Sequence, residues 1–264
     1  MNKLQKTFSD RNELIDYVAT LSPWLTDRSV SHHRGGVEEA EIRLDNIDPE
    51  GYVRSRNFLN GKITYLSPYI RHGILTLDRV RKTALSKIDK PAKIEKFIQE
   101  LAWRDFWQRK YYEDSNCIWF DIEPYKTGFS KDDYADELPD DIAHGETGVA
   151  CIDQFIHTLL DSGYMHNHTR MYVAAYVIHW RQIKWQAGAR WFLHHLIDGD
   201  AASNNLSWQW IASTFSNKPY IFNLENVRKY ANKEINTCSH DNQVLDASYE
   251  TLSKKLFPNM QSQP

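Results

Sequence analysis

The chain has 264 residues, of which 41% are hydrophobic, enough to bury the core of one large domain or two small ones. Its three cysteines, Cys117, Cys151 and Cys238, are far apart and form no CxxC pair, which argues against a disulfide framework and against a zinc or iron–sulfur site. There is no run of eighteen apolar residues and no signal-peptide core, so we expect a soluble, cytoplasmic protein without a bound metal.

The first 48 residues carry only a weak amphipathic pattern. Leu14, Ile15 and Val18 fall on one side of a predicted helical segment, and a polar stretch over residues 32–36 follows. No alternation of strands and helices is visible here. A parallel α/β domain is therefore not predicted for this part of the chain.

The formal net charge is only −3, but the charges are unevenly distributed. Residues 51–96 contain eleven basic and three acidic side chains, whereas residues 113–161 contain two basic and thirteen acidic ones. The basic segment is predicted to contact a phosphate backbone. The candidate contacts are Arg54, Arg56, Arg79, Arg81 and Lys82. Charge runs alone favour the simpler interpretation, a solvated helix face.

Two helix starts are predicted in the basic segment. Ser67 followed by Pro68 is typical of an N-cap with proline at the first helical position, and Thr76 can begin the next helix after Gly73. Free amides and hydroxyls at helix N-termini bind phosphates, so this block can hold a cofactor diphosphate. Ordinary capping explains the serine and the proline equally well.

A helix is predicted over residues 91–113, and it has two distinct faces. The expected buried face consists of Ile94, Ile98, Leu101 and Phe106. The other face carries Glu100, Trp103, Arg104 and Trp107 at helical spacing. An acid, two indoles and a guanidinium on one face indicate either a binding site or an arginine stacked on tryptophan beside a surface salt bridge.

Loops are predicted over residues 114–147, which are acidic and interrupted by proline. The next helix is predicted over residues 149–162. Its apolar positions are Ile152, Phe155, Ile156 and Leu159. Their spacing is typical of a core-facing helix, and no functional role is predicted for them.

Residues 163–210 are predicted to form two helices, a polar loop and an aromatic turn. On the first helix Asn167, Arg170, Met171 and Ala174 share one face, a mixture that is not typical of a core stripe. The predicted loop carries Asp198, Gly199, Asp200, Ser203, Asn204 and Asn205. A helix end normally needs only a glycine cap, so we expect a planar polar ligand to bind here.

The strings GYMHN, RM, LIDGDAASNN and WQW, with Trp185 between them, closely resemble the FAD-binding domain of the photolyase and cryptochrome family. The match keeps the family's order and spacing and extends back to Tyr52. It implies an all-α fold with a helical FAD-binding domain over residues 49–230, an N-terminal helical and loop extension over 1–48 and a polar tail over 231–264. The antenna-pigment domain of full-length photolyases is expected to be absent from this chain.

The resemblance also implies which residues contact FAD. They are Tyr52, Thr64, Leu66, Ser67, Arg104, Asn167, Arg170, Asp198, Asp200 and Asn204. The first four fall on phosphate-gripping positions, although Tyr65 replaces the usual arginine. Asn204 would lie beside flavin N5, and Asp198, paired with Arg170, would lie at the polar edge of the ring. Helix-end capping by the two aspartates is less expected, because acids oppose the dipole at a helix C-terminus.

The implied activity is that of a photolyase, the blue-light-driven repair of cyclobutane pyrimidine dimers by electron transfer from reduced FAD. The residues with implied catalytic roles are Glu100, Trp103, Met171, Asn204, Trp185, Trp208 and Trp210. Glu100, Trp103, Met171 and Trp210 would contact the dimer. The other two tryptophans match the first members of the family's electron-transfer chain, and for Trp185 a plain core role is equally expected.

Electron transfer is expected to depart from the family pattern at its third tryptophan. The matching position is near Asp132, and only Tyr125, Phe129 and Tyr134 are close in sequence. A tyrosine is therefore the expected substitute donor.

Lesion binding departs from the pattern as well. His168 replaces a basic residue that helps to hold the lesion backbone, Leu206 and Ser207 replace a glycine pair, and the loop over residues 216–219 is shortened. That loop normally helps to prise a lesion from a duplex, so damaged single strands are the expected partner, because they need no unpairing energy.

Two other functions stay open at this point. One is a cryptochrome-like blue-light sensor without repair activity, and the other is a helical nucleic-acid-binding or structural protein that has lost its cofactor. A metal site at His194 and His195 is disfavoured, because adjacent residues of a helix point in different directions.

Overall fold

The computed structural model describes residues 3–23 and 30–260, and this part of the chain is helical, with no strand and one isolated bridge between Ala135 and Ile183. The described α-helices are α1 (Arg11–Leu21), α2 (Val37–Asp45), α3 (Pro49–Ser55), α4 (Ser67–Arg71), α5 (Leu77–Ser86), α6 (Glu95–Glu113), α7 (Asp140–His144), α8 (Ala150–Ser162), α9 (Asn167–Ala175), α10 (Trp185–His195), α11 (Ala201–Ala212), α12 (Leu224–Tyr230) and α13 (Tyr249–Leu256). The predicted all-α fold is confirmed. In the described ranges, no helix has both the length and the apolar character needed to cross a membrane.

The contacts divide the chain into two compact units, Met1–Arg34 and Gly35–Pro264. The described part of the first unit contains α1, which Asp10 caps by accepting hydrogen bonds from the amides of Asn12 and Glu13. No residue of α1 is buried, and Leu14 is 41% exposed. The segment with the weak amphipathic pattern therefore forms a helix, but no face of this helix is buried in a core.

The second unit contains a hydrophobic cluster built from α2, the connection after it, α4, α5 and the start of α6. Ala40, Leu44, Val80, Ile94 and Phe97 are buried together in it. The compact unit thus begins ahead of the expected boundary at residue 48, because α2 places its apolar side chains in the same cluster as α5 and α6.

A larger cluster joins α8 to α12. The four predicted core residues of α8 are all buried, which confirms the prediction for that helix. A π-helical segment, Tyr176–Trp180, extends α9, and Trp185 and Phe192 of α10 are fully buried against it in the same cluster. Trp208 of α11 joins them, so this cluster forms one wall of the site described below.

The predicted helix over residues 91–113 is confirmed as a 3-10 turn, Pro91–Ile94, followed by α6. Its buried side was predicted wrongly at one position: Phe106 is 44% exposed, and the buried aromatic residues are Phe97 and Trp107. The helix packs on one cluster near its start and on a different one near its end, where Trp107 meets Leu206. The buried stripe therefore changes face along the helix.

Asn204 and its neighbours do not lie in a loop, and WQW is not a turn. Asp200 begins α11 as its N-cap and accepts a hydrogen bond from the amide of Ser203. The helix then runs through Trp208 to Ala212. Polar residues in the first turn concealed this helix, which starts directly after the two aspartates.

Residues 231–260 pack on the rest of the second unit instead of forming the expected tail. Asn242 is fully buried and accepts a hydrogen bond from the amide of Cys151, while Leu252 and Phe257 pack near Trp180. Apolar residues are sparse here and widely spaced, so the composition alone indicated a polar surface segment.

Candidate functional site

Side chains from both large clusters line a cavity of about 740 Å³. Leu66 and Phe97 contribute from the first cluster, and Phe192, Leu196 and Trp208 from the second. This volume is typical of a small-molecule or cofactor site. The cavity therefore lies where the two halves of the core face each other.

Most of the predicted site residues line this cavity. They are Tyr52, Arg56, Thr64, Leu66, Ser67, Glu100, Trp103, Arg104, Asn167, Arg170, Met171, Asp198, Asp200, Asn204, Trp208 and Trp210. Five predicted residues are not among its lining residues, namely Arg54, Arg79, Arg81, Lys82 and Trp185. The shared face of Asn167, Arg170, Met171 and Ala174 on α9 turns toward this cavity, as its mixed character indicated.

The deepest charged pair of the cavity is Asp198 with Arg170. Arg170 Nη2 lies 2.9 Å from Asp198 Oδ2, and the hydroxyl of Ser67 donates to the same oxygen at 2.6 Å. Burial raises the pKa of Asp198, but Arg170, Ser67 and Arg104 outweigh burial, so that the pKa lies below its ordinary value. Asp198 is thus ionised although only 5% of it is exposed.

Ser67 was predicted wrongly as an N-cap. It is the first residue of α4, and its hydroxyl bonds to Asp198 rather than to the amides of its own helix. Thr76 does cap α5, by accepting from the amide of Arg79. The serine therefore links the start of α4 to Asp198, which lies just before α11.

Asp200 makes two kinds of hydrogen bond at the N-terminus of α11. It caps that helix, and its carboxylate accepts hydrogen bonds from Gln108 Nε2 at 2.7 and 2.9 Å. Arg104 Nη2 lies 3.7 Å from the same carboxylate. Capping of the preceding helix end was the less expected role for Asp200. Asp200 instead caps the start of the following helix, α11, where an acid complements the helix dipole.

The segment carrying both aspartates is held from two sides. Arg71 donates to the carbonyl oxygen of Gly199, and His72 donates through Nε2 to that of Ile197 at 3.0 Å. Gly163, at φ +68, lets α8 end beside Ile197, whose Cγ2 would lie 2.7 Å from any added Cβ. These contacts fix the positions of the two acids from outside the cavity.

Asn204 is oriented by its neighbours. Its Nδ2 donates to the carbonyl oxygen of Ala189 at 3.0 Å and to Asn205 Oδ1 at 2.8 Å. Asn205 is fully buried and in turn donates to the carbonyl oxygen of Ile118. Asn205 is therefore a positioning residue for Asn204.

The solvent-exposed part of the cavity contains an ion-paired acid and aromatic rings. Glu100 lies 3.1 Å from Arg56 and 3.0 Å from Lys96, while Trp103 and Trp210 are 46% and 39% exposed. Burial, followed by the charge of Glu100, raises the pKa of Tyr52 to about 12. A hydrogen-bond acceptor and two indoles in one cavity are suited to flat, polar-edged rings.

His168 does not supply the positive charge of the basic residue that stands at this position in the family pattern. It is 9% exposed, stacks on Tyr172 at 4.5 Å, and donates from Nδ1 to the carbonyl oxygen of Asn57. Burial lowers its pKa, so the ring is neutral near pH 7. Burial is also the main cause that lowers the pKa of His166, to about 4.

Trp185 and Trp208 are both buried, and Trp208 lines the cavity whereas Trp185 does not. Trp185 Nε1 donates to Asp121 Oδ1 at 2.6 Å, whereas Trp208 Nε1 is buried without a partner among the residues that the structure describes. Tyr125 and Tyr134 stack with their ring centroids 4.5 Å apart. Electron transfer through these rings stays a prediction.

Trp208 can pack closely against α10 because Gly188 has no side chain. A Cβ at Gly188 would lie 2.2 Å from Trp208 Cη2. We expect Gly188→Ala to push the indole into the cavity and to destabilise the protein by about 1 to 3 kcal/mol, as overpacking does. Denaturant unfolding and flavin content of the purified variant measure both effects. Gly35→Ala is the control, because nothing lies within 4 Å of a Cβ there. Unchanged stability and flavin content would show that the indole is free to move.

The predicted nucleic-acid contacts outside the cavity are ion-paired. The pairs are Arg54–Glu50, Arg79–Glu41, Arg81–Asp78 and Lys82–Asp78. Exposed pairs contribute little stability, and their carboxylates reduce the positive potential of the surface. Phosphate binding by these four side chains stays a prediction.

Several residues of the site were not predicted. Gln108, which donates to Asp200, follows Glu100 and Arg104 at intervals of four residues, so the spacing of α6 contained the signal. Tyr220, Tyr230 and Tyr249 line the cavity itself. No local pattern pointed to these tyrosines, because they come from three segments that only the tertiary fold brings together.

Comparisons with known proteins place this geometry in a family. Residues 97–239 match the family model described as the FAD binding domain of DNA photolyase. A deoxyribodipyrimidine photo-lyase of Streptomyces griseus is 34% identical over 204 residues, which are 75% of this chain and 42% of that protein. The chain thus spans less than half the length of this relative.

Solved structures show the same fold. An archaeal photolyase from Sulfolobus tokodaii, whose crystal structure holds two FAD molecules, matches with a TM-score of 0.62 and 28% identity over 75% of this chain and 45% of its own. The cryptochrome of Synechocystis sp. PCC6803 matches with a TM-score of 0.65 over 89% and 48%, and at 23% identity this likeness concerns the fold alone. The FAD prediction is confirmed at the level of the family, and the chain belongs to the photolyase FAD-binding-domain family.

Proposed function

We propose that this chain binds FAD in the cavity and uses it to split cyclobutane pyrimidine dimers under blue light, preferably in single-stranded nucleic acid. The proposal is carried by the polarity of the cavity. Its deep part contains a buried carboxylate paired with a guanidinium, and its solvent-exposed part contains Glu100 together with the indoles of Trp103 and Trp210. One part suits a polar cofactor and the other suits a flat lesion.

The deep part fits FAD by its unsatisfied polar atoms. Eight buried side-chain atoms of the described residues have no hydrogen-bond partner, and three of them belong to residues that line the cavity: Asp198 Oδ1, Ser203 Oγ and Trp208 Nε1. Buried polar atoms are nearly always satisfied, so a ligand with both donors and acceptors accounts for all three. The isoalloxazine edge and the ribityl hydroxyls of FAD supply both.

Reduced FAD, when bound and excited by blue light, supplies an electron that opens the cyclobutane ring and afterwards returns. The protein's own part is to bind, orient and exclude water. Arg170 and Ser67 keep Asp198 ionised and fixed, and Asn204 holds its amide in one orientation through Ala189. Trp208 and Trp185 are the proposed route by which electrons reach the cofactor.

The lesion is proposed to lie in the exposed part of the cavity. Glu100 accepts hydrogen bonds from base edges while Arg56 and Lys96 hold its carboxylate. Trp103, Met171 and Trp210 form apolar walls for the fused pyrimidine rings. A pocket of this kind accepts bases that have left the helical stack.

The preference for single strands follows from what surrounds the pocket. Ser216 Oγ lies 2.7 Å from the carbonyl oxygen of Trp210 and 2.9 Å from that of Lys218, so its one proton is shared between them and the short loop closes on itself. His168 is buried and neutral, so it provides no cation for the lesion backbone. An unpaired substrate avoids the unpairing cost of a few kcal/mol.

The experiment follows the loss of dimers under blue light in matched single-stranded and duplex oligonucleotides with fully reduced protein. We expect repair of both and a faster reaction on the single strand, with binding that weakens as salt increases. Equal or faster duplex repair would reject the strand preference. No repair of either substrate by FAD-loaded protein would reject the repair function.

Glu100→Ala is expected to lower the repair yield while FAD content stays unchanged, because Glu100 lies in the exposed part of the cavity. Glu113→Ala is the control, since this exposed acid of the same helix does not line the cavity. Repair yield per bound FAD is the measurement. An equal loss of FAD and of repair would place Glu100 at the cofactor instead.

A cryptochrome-like blue-light sensor is the second candidate. One observation favours it: Arg54, Arg79, Arg81 and Lys82 are paired with acids, which leaves this surface with little excess positive charge for phosphates. The discriminating result is photoreduction of the flavin without salt-dependent oligonucleotide binding.

A further inference from the structure

A second groove adjoins the cavity and differs from it in character. It has a volume of about 600 Å³ and is lined by Gln99, Ala102, Trp103, Phe106, Trp107, Trp210 and Phe215. Three of these residues, Trp103, Trp107 and Trp210, also line the main cavity. The groove is therefore continuous with the exposed part of the cavity, and Gln99 is the polar side chain in its lining.

Exposed aromatic rings form the surface of this groove. Trp103 and Phe106 are 46% and 44% exposed and meet edge to face, with their ring centroids 5.7 Å apart. Trp107 stacks on Trp103 at 5.2 Å and contacts Phe215 at 5.6 Å. These contacts fix the rings, so the groove is a preformed aromatic surface.

This exposure runs against the sequence pattern. Phe106 falls on the spacing of core residues, yet it lies in solvent beside a second exposed indole, Trp210. Contiguous exposed apolar surface is typical of binding sites. The groove has no acidic lining residue, and the exposed Lys218 is three residues from Phe215, on the loop that follows it.

We propose that this groove binds one unpaired nucleobase that adjoins the lesion in the same strand. The proposal rests on the proposed function and deepens it. Every nucleobase has a flat apolar face that stacks on aromatic side chains, and such stacking is tolerant of sequence. A dimer held between Trp103 and Trp210 places its neighbouring nucleotide at the groove, because both tryptophans are shared by the two sites.

The groove gives a second reason for the single-strand preference. In a duplex the base beside the lesion is paired and stacked, so its face is not available to Phe106 or Phe215. In a single strand the same base can rotate into the groove without breaking a base pair. Lesion recognition would then include one nucleotide more than the dimer itself.

The test compares binding of two kinds of single-stranded oligonucleotide by FAD-loaded protein in the dark. Both contain one dimer, and one of them has an abasic site on the 5′ or the 3′ side of it. We expect the base-bearing strand to bind about 5 to 20 times more tightly on one of the two sides. Phe106→Ala should remove most of that difference, with a smaller loss of affinity for the abasic strand and with unchanged FAD content.

Two further variants make the result specific to the groove. Phe106→Tyr should restore the difference, because a phenol stacks as a phenyl does. Phe120→Ala should have no effect, since this ring is 67% exposed but does not line the groove. Circular dichroism and FAD absorption verify that the variants are folded.

The outcomes separate this inference from the proposed function. Equal affinity for base-bearing and abasic strands, together with firm binding of the dimer, would overturn the groove proposal alone. A difference that Phe106→Ala leaves intact would also overturn it. If no dimer-containing strand binds even at low salt, the proposed function and the groove proposal both fail.

Discussion

Replacing Arg104 and Asp200 together with alanine is expected to leave the purified protein colourless, whereas the wild type is expected to be yellow and to carry non-covalent FAD. Both side chains line the cavity, and Arg104 lies 3.7 Å from the carboxylate of Asp200. Burial lowers the pKa of Arg104, opposed by Asp200 and Asp198, yet an arginine stays charged at neutral pH. The double change therefore removes a fixed positive charge and its partner from the cofactor's surroundings.

The measurement is the flavin-to-protein absorbance ratio after desalting, followed by titration with added FAD. Loss of the Asp200 cap alone should cost about 1 kcal/mol of stability, so the variant should remain folded. The matched control is Asp105→Ala with Arg109→Ala, an exposed pair at 2.7 Å on the same helix and outside the cavity. A folded wild type that is colourless and takes up no FAD would contradict the cofactor assignment.

Arg170→Met is expected to destabilise the flavin-free protein by about 3 to 5 kcal/mol, because it leaves a buried carboxylate without its partner. Asp198 is 5% exposed, and Arg170 Nη2 lies 2.9 Å from it. With its pKa lowered in the folded state, Asp198 stabilises the protein above the pKa of the unfolded chain, and this contribution is lost as the pH falls through the folded pKa. Without Arg170 the pKa of Asp198 in the folded state should be less depressed. The free energy of unfolding of the variant should therefore fall less than that of the wild type as the pH is lowered.

Urea unfolding between about pH 3 and pH 7, the range that brackets ordinary carboxyl titration, gives both quantities. Arg181→Met is the control: Arg181 and Asp141 lie 2.7 Å apart, but their side chains are 27% and 36% exposed. A surface pair of this kind contributes about 0 to 1 kcal/mol. Equal destabilisation by the two substitutions would show that burial of Asp198 does not govern the strength of its pair.

The sequence indicated much of the site because two kinds of signal are local. Helical spacing placed Asn167, Arg170 and Met171 on one face of α9, and the structure turns that face toward the cavity. The resemblance identified Asp198 and Asp200, which lie there as well. Both kinds of signal depend on residues that are close in sequence.

Other features were not predictable in this way. Ser67 bonds to a residue 131 positions away, and this tertiary contact overrides its local capping propensity. Phe106 follows a core pattern but lies outside, because α6 changes packing partners along its length. The sequence after residue 230 indicated a polar surface segment, because its few apolar residues contact their packing partners only in the complete fold.

The C-terminal segment has a consequence for how the protein matures. Tyr249 is the first residue of α13 and lines the same cavity as Tyr52, so the two walls are made at opposite ends of the second unit. During synthesis the N-terminal elements leave the ribosome long before α13 exists. The cavity therefore stays open on one side until α13 has been made. A chain that stops before Tyr249 would keep the residues of the 163–210 segment but would lack this wall of the cavity.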